Sequence, residues 1–176
     1  PQGILALAKQ YHYGLKDLLS QSGAAHFIVL ERLQDPGNLG TILRAGEAAG
    51  ITGVIMDSQT ADIYNPKVIR STMGAVFRVP FVYVEDLKAA LLQLKDHGVH
   101  LYAAHLKGQN PYDQEDYTES TGFLIGNEAQ GLSDEIASLA DTYVKIPMAG
   151  SVESLNAAIA SSVLMFEVAR QRRNQK

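Results

Sequence analysis

The chain has 176 residues, 46% of them apolar, no cysteine and a formal net charge of −4. That is the composition of an ordinary globular domain with one sizeable core. It excludes disulfides and thiolate metal sites, and no apolar run approaches the roughly 20 residues of a membrane span. The opening PQGILALAKQYHYG lacks a basic stretch followed by an apolar one and does not read as a secretory signal. A cytoplasmic protein suits these features. A start at Pro1 reads as a fragment of a longer parent.

The elements alternate along the chain. HFIVLERL (26–33) reads as a strand, and DPGN turns the chain into a helix capped by Asn38 and stopped at Gly50. GVIMD (53–57) is a strand. Asn65 and Pro66 read as N-cap and first residue of a helix reaching about Met73. A strand over 79–84 leads to a surface helix with Leu87, Leu91, Leu92 and Leu94 apolar and Gly98 at its end. Strands follow at 99–106 and 121–126. Ser133 caps a helix across DEIASLADT, 143–147 is the last strand, and 155–172 the last helix. Such alternation predicts an α/β fold with a mainly parallel sheet and helices on both faces. One domain spans 26–176, preceded over 1–25 by a linker and a short helix.

The charge is unevenly spread. Residues 108–142 hold eight acids and no Lys or Arg, so the other 141 residues carry a net +4. The chain is not an obvious RNA-coating surface, and tight RNA binding needs a second copy or a further domain.

Parallel sheets bind ligands at the carboxyl ends of their strands, and three post-strand segments stand out there. None is a G-x-G-x-x-G, P-loop or nucleophile-elbow fingerprint. In the first, Asn38-Leu-Gly40-Thr-Ile-Leu-Arg44, the spacing alone describes a capped helix with a solvated Arg. Yet Arg44 stands among Gly40, Ala45, Ala48 and Ala49, too small to screen a guanidinium that could grip phosphate or ribose oxygens. The second, Gly126-Asn-Glu128-Ala-Gln-Gly131, has glycine at both ends, which permits close approach to a ligand, and a Glu128 that the turn does not need. In the third, Ile146-Pro-Met-Ala-Gly150-Ser-Val-Glu-Ser154-Leu-Asn156, Ser154 reads as the N-cap of a helix whose first turns are thin. A thin face means either close packing or closure on a cofactor. The five histidines form no credible metal site. His105 has no evident partner.

Together, in this order and at these strand ends, the segments resemble the three signature motifs of the SpoU (TrmH-like) branch of the SPOUT RNA methyltransferases, at NLGTILR, GNEAQGL and IPMAGSVESLNAAIA. NPKVIRSTMGAVFRVP (65–80) resembles the family's segment after its second strand, and the likeness covers 26–172. The resemblance implies a C-terminal deep trefoil knot, S-adenosylmethionine as cofactor and methyl transfer to a ribose 2′-hydroxyl of structured RNA. It places cofactor contacts at Ala104, His105 and Gly108, at Leu124, Ile125, Gly126 and Asn127, and at Ile146, Met148, Ser154 and Leu155. It carries catalytic roles to Asn38, Arg44, Glu128, Ser154 and Asn156. Family accounts make the Arg a proton acceptor. A guanidinium is a poor base near neutrality, so Arg44 is better read as a stabiliser of the developing alkoxide, held with the ribose by Glu128 and Asn156.

The resemblance further implies a homodimer in which one copy's Arg meets the other's cofactor site, with the last helix at the interface. The basic end of that helix, Arg170, Arg172, Arg173 and Lys176, is either an RNA contact or a favourable charge at a helix C-terminus. Two-domain family members carry an N-terminal RNA-binding domain, and PQGILALA resembles the linker after it, which favours ribosomal over transfer RNA. The alternatives are a tRNA 2′-O-methyltransferase, base methylation by a SPOUT relative, and a non-catalytic RNA-binding module. The Asn38/Arg44 pair argues against base methylation, and the complete five-residue set against the module. A Rossmann dehydrogenase lacks its glycine fingerprint.

Overall fold

A strand buried on both faces sends alternate side chains into two different cores. β1 (His26–Leu30) does this along its whole length: Phe27 and Val29 enter one layer, Ile28 and Leu30 the other. The computed structural model describes Gly3, Leu7, residues 9–106, Gly108 and residues 110–175. Within them β1 is followed by β2 (Gly53–Asp57), β3 (Phe81–Val84), β4 (His100–Ala104), β5 (Asn110–Pro111), β6 (Thr121–Ile125) and β7 (Thr142–Lys145). They form one sheet in the order β3-β2-β1-β6-β4-β7-β5, and every pairing between these strands is parallel. The expected parallel sheet is therefore present, and β5 is a two-residue strand that periodicity did not signal.

Helices cover both faces, as expected. α2 (Pro36–Ala49), α3 (Pro66–Thr72) and α6 (Ala157–Arg173) bury Leu39, Ile42, Leu43, Val68, Leu164 and Met165 against Ile28, Leu30 and Phe123. α1 (Leu15–Leu19), α4 (Leu87–Asp96) and α5 (Asp134–Ala137) bury Leu18, Leu91, Leu94 and Ile136 against Phe27, Val29 and Leu124. The short N-terminal helix is thus packed into the second layer through Leu18, 1% exposed. On α4, Leu91 is buried and Leu92 is 46% exposed, the two sides of one amphipathic surface helix.

Cap chemistry sets several boundaries as expected. Asn65 Oδ1 accepts from Lys67 N at 2.8 Å, with Pro66 first in α3. Ser133 Oγ caps α5 at Ile136 N, 3.2 Å. Gly50 ends α2 with φ +74°. Two caps differ. Asp35, not Asn38, caps α2: its Oδ1 accepts from Asn38 N at 2.8 Å, and Pro36 has no N–H to leave unpaired. Asn156, not Ser154, caps α6, its Oδ1 accepting from Ala158 N at 2.9 Å. Both shifts release side chains for other work.

Two of the basic residues at the end of α6, Arg170 and Arg172, are held by the fold. Arg172 donates to the carbonyls of Tyr117, Ala24, Ala25 and Glu119 at 2.7–3.0 Å. Arg170 pairs with Glu167. Lys176 lies outside the described residues. Burial, helped by the Arg172 charge, lowers the pKa of His26 to about 3, so this histidine stays neutral. Replacing Arg172 with Met leaves those carbonyls short of donors, which should cost about 1–3 kcal/mol. Denaturant unfolding checks this; unchanged stability would return Arg172 to the role of a free RNA contact.

Candidate active site

The carboxyl ends of β1, β6, β4 and β7 are neighbours in the sheet, so the segments leaving them converge. Three of these segments enclose a cavity of about 720 Å³. Ile125, Leu132, Ile146 and Leu155 give it apolar walls, while Asn127, Glu128, Lys145, Glu153 and Ser154 bring polar groups. An adenosine-sized molecule fits such a volume and lining.

The loop after β6 is held shut on itself. Asn127 and Gly131 exchange both backbone hydrogen bonds, at 3.1 and 2.8 Å. The Asn127 side chain accepts from Ala129 N and Gln130 N and donates to Arg32 O. Gly126 packs so closely that a Cβ there would stand 2.1 Å from the Gly131 carbonyl carbon. The glycine expected to permit close approach makes that approach to its own loop.

Of the expected cofactor residues, Ala104, His105, Ile125, Gly126, Asn127, Ile146, Met148, Ser154 and Leu155 line this cavity. Leu124 and Gly108 do not. Leu124 sits one residue before Ile125 on a strand, so its side chain points into the opposite core layer. Gly108 is buried against β7, where a Cβ would meet the Val144 carbonyl carbon at 2.7 Å. His105 has partners after all: its ring meets Tyr143 edge-on at 5.6 Å, and its N–H donates to Val144 O. Among the described residues no three metal-ligating side chains converge, and no helix is long and apolar enough to cross a membrane.

Three of the five expected catalytic residues form one chain of hydrogen bonds. Glu128 Oε1 accepts from Asn38 Nδ2 and Asp35 N, both at 3.0 Å, and its Oε2 from Gln34 N at 3.2 Å. Asn38 Oδ1 accepts from Asn156 Nδ2 at 2.9 Å, and Asn156 in turn caps α6. Partial burial pushes the Glu128 carboxyl up, but the bonds from Asn38 and the Asp35 and Gln34 amides outweigh it and hold the group below the usual carboxylate range. Glu128 therefore stays ionised and ties three distant segments together.

Arg44 and Ser154 stand apart from that chain. Ser154 is exposed at the cavity rim. Arg44 is exposed on α2, outside the cavity lining, with no ion pair among the described residues. The expectation that Glu128 holds Arg44 is not met within one chain, because the carboxylate is already committed to Asn38 and two amides. Sequence reading also missed Glu31, a buried carboxylate whose Oε2 accepts from Ser133 N at 2.7 Å and so fixes the far end of the loop. No spacing signal points to it.

Residues 25–166, spanning all three segments, match the model of the SpoU rRNA Methylase family. The chain belongs to that family. A putative TrmH family tRNA/rRNA methyltransferase of Staphylococcus aureus (strain MSSA476) is 35% identical over 97% of this chain and 71% of its own length. Among solved structures, the AdoMet-bound rRNA methyltransferase of Sinorhizobium meliloti is 36% identical with a TM-score of 0.84, covering 92% of this chain. An RNA 2′-O ribose methyltransferase is 29% identical with a TM-score of 0.79, covering 98%. The chain spans 62% of the length of each of these two. Within the SpoU frame, the post-strand loops that enclose the cavity are those carrying the second and third family segments, and the first supplies Asn38 to the hydrogen-bond chain.

Proposed function

We propose that the chain transfers the methyl group of S-adenosylmethionine to a ribose 2′-hydroxyl of structured RNA, ribosomal RNA being its substrate class and the cytoplasm its place of work. The observation that carries this is the Glu128–Asn38–Asn156 chain beside an apolar cavity of adenosine size, with an uncommitted guanidinium on the same helix as Asn38. When bound, the cofactor supplies an electrophilic methyl. Ile125, Leu132, Ile146 and Leu155 would hold its adenosine part, and the closed 126–131 loop keeps that wall rigid. Asn38 and Asn156, their side chains fixed by two and three partners respectively, orient the ribose. Arg44 stabilises charge developing on the 2′-oxygen while the hydroxyl proton passes to solvent water.

Arg44 lies outside its own chain's cavity, so the active unit is a homodimer in which one copy's Arg44 serves the other's cavity. The exposed stripe Ile159 and Phe166 on α6, each 50% exposed with Val163 between them, supports this. The knot is part of the same reading. β6 inserts between β1 and β4, and the 146–156 segment meets the β6 loop at the cavity.

The test is calorimetry followed by complementation. S-adenosylmethionine should bind the wild-type chain, sedimentation should give a dimer, and mixing Arg44→Ala with Gly126→Ala, whose cofactor loop is distorted, should raise activity above that of either variant alone. An active monomer, or no binding of this cofactor while a nicotinamide dinucleotide binds, would contradict the proposal.

A further inference from the structure

Gly40, Arg44 and Glu47 follow the i, i+4, i+7 spacing that puts residues on one stripe of a helix. At one end of this stripe Gly40 meets α3, where a Cβ would come within 1.8 Å of Ser71 Oγ and 2.9 Å of the Val68 carbonyl oxygen. At the other end Glu47 takes both Nε and Nη2 of Arg78, the latter at 2.9 Å. Arg44 lies between the two. An Arg and a Glu three apart on a helix are natural ion-pair partners, yet Glu47 is paired with Arg78, thirty-one residues away, and Arg44 is left without an ion pair among the described residues.

The Arg78 pairing is built. Arg78 follows the short 3₁₀ turn Ala75–Phe77, which Gly74 opens with φ +89°. A Cβ on Gly74 would lie 3.2 Å from Arg78 Nη1, so the guanidinium rests over the glycine on its way to α2. Its bond to Glu47 holds that carboxyl below the usual carboxylate range. The pair itself is worth little to the fold, its side chains being 56% and 33% exposed. Its consequence is electrostatic.

We propose that Arg78 is a positioning residue: by sequestering Glu47 it keeps the Arg44 guanidinium uncommitted and its field unopposed for the RNA. This rests on the reading of Arg44 given above. With Arg78 gone, Glu47 turns to Arg44 and also repels the incoming phosphates.

Two measurements test it. The first needs no RNA: NMR titration of the Glu47 carboxyl. In Arg78→Ala the carboxyl should stay depressed because Arg44 takes it up, and return to the ordinary range only in Arg78→Ala/Arg44→Ala. A full return in Arg78→Ala alone, with no further change in the double variant, overturns the proposal. The second is single-turnover methylation of ribosomal RNA prepared from cells lacking this protein. Arg78→Ala should slow it about three- to tenfold, the effect of a unit charge about 6 Å away between full and half water screening. Arg78→Ala/Glu47→Gln should recover the wild-type rate, and Glu47→Gln alone should match wild type. A double variant as slow as Arg78→Ala would assign Arg78 a merely structural role and overturn the proposal. Full turnover in Arg44→Ala would instead overturn the catalytic reading of Arg44, and the Glu47 titration would still report the pairing.

Discussion

Arg44→Ala should lower methyl transfer about a hundredfold to a thousandfold, the usual loss when one preorganised transition-state donor is removed. Stability and S-adenosylmethionine affinity should stay at wild-type values. The side chain is exposed, has no ion pair among the described residues, and lines no part of its own chain's cavity. Arg44→Lys should recover little, because an ammonium lacks the planar fork of a guanidinium. A purely solvated helical Arg makes a different forecast: a stability change of at most about 0.5 kcal/mol and no kinetic effect. Single-turnover rates on ribosomal RNA from cells lacking the protein, with melting curves beside them, separate the two.

Gly126→Ala should be the most damaging small change to cofactor binding. Its added Cβ would meet the Gly131 carbonyl carbon and Leu132 N at 2.1 Å, both backbone atoms that no rotamer change can move. The 126–131 loop must open, and with it the two backbone bonds between Asn127 and Gly131. Overpacking of this kind costs about 1–3 kcal/mol, so affinity for S-adenosylmethionine should fall roughly 5- to 150-fold. Gly150→Ala is the control. It lies in the neighbouring loop, and a Cβ there meets nothing within 4 Å. Calorimetry should show that variant binding like wild type, while equal losses in both would mean that the loops, not the close approach at Gly126, set the affinity.

The pattern of the fold was legible because burial on a parallel sheet leaves a direct trace. GVIMD is β2 residue for residue, and Asn65–Pro66 opens α3 as the cap chemistry requires. The caps at Asn38 and Ser154 were misread for one reason. Asp35, Asn38, Ser154 and Asn156 can all cap a helix, and sequence does not say which is free. The structure gives capping to Asp35 and Asn156, leaving the Asn38 side chain to join Glu128 with Asn156. Those partners lie 90 and 118 residues apart, a separation that no local spacing encodes. Arg172 illustrates the same limit. A cluster of basic residues at a helix end looks solvated in sequence, whereas here one guanidinium closes four carbonyls from two other segments. The small two-residue strand β5 is too short for any period to register.

The position of the new methyl group on the product separates ribose transfer from base transfer. Ribosomal RNA from cells lacking the protein is incubated with the wild-type chain and isotopically labelled S-adenosylmethionine, then digested to nucleosides and resolved by mass spectrometry. Label is expected in a single 2′-O-methylated nucleoside, its methyl retained on the ribose fragment. Label on a base, or a ribose methyl formed equally well by Arg44→Ala, would contradict it.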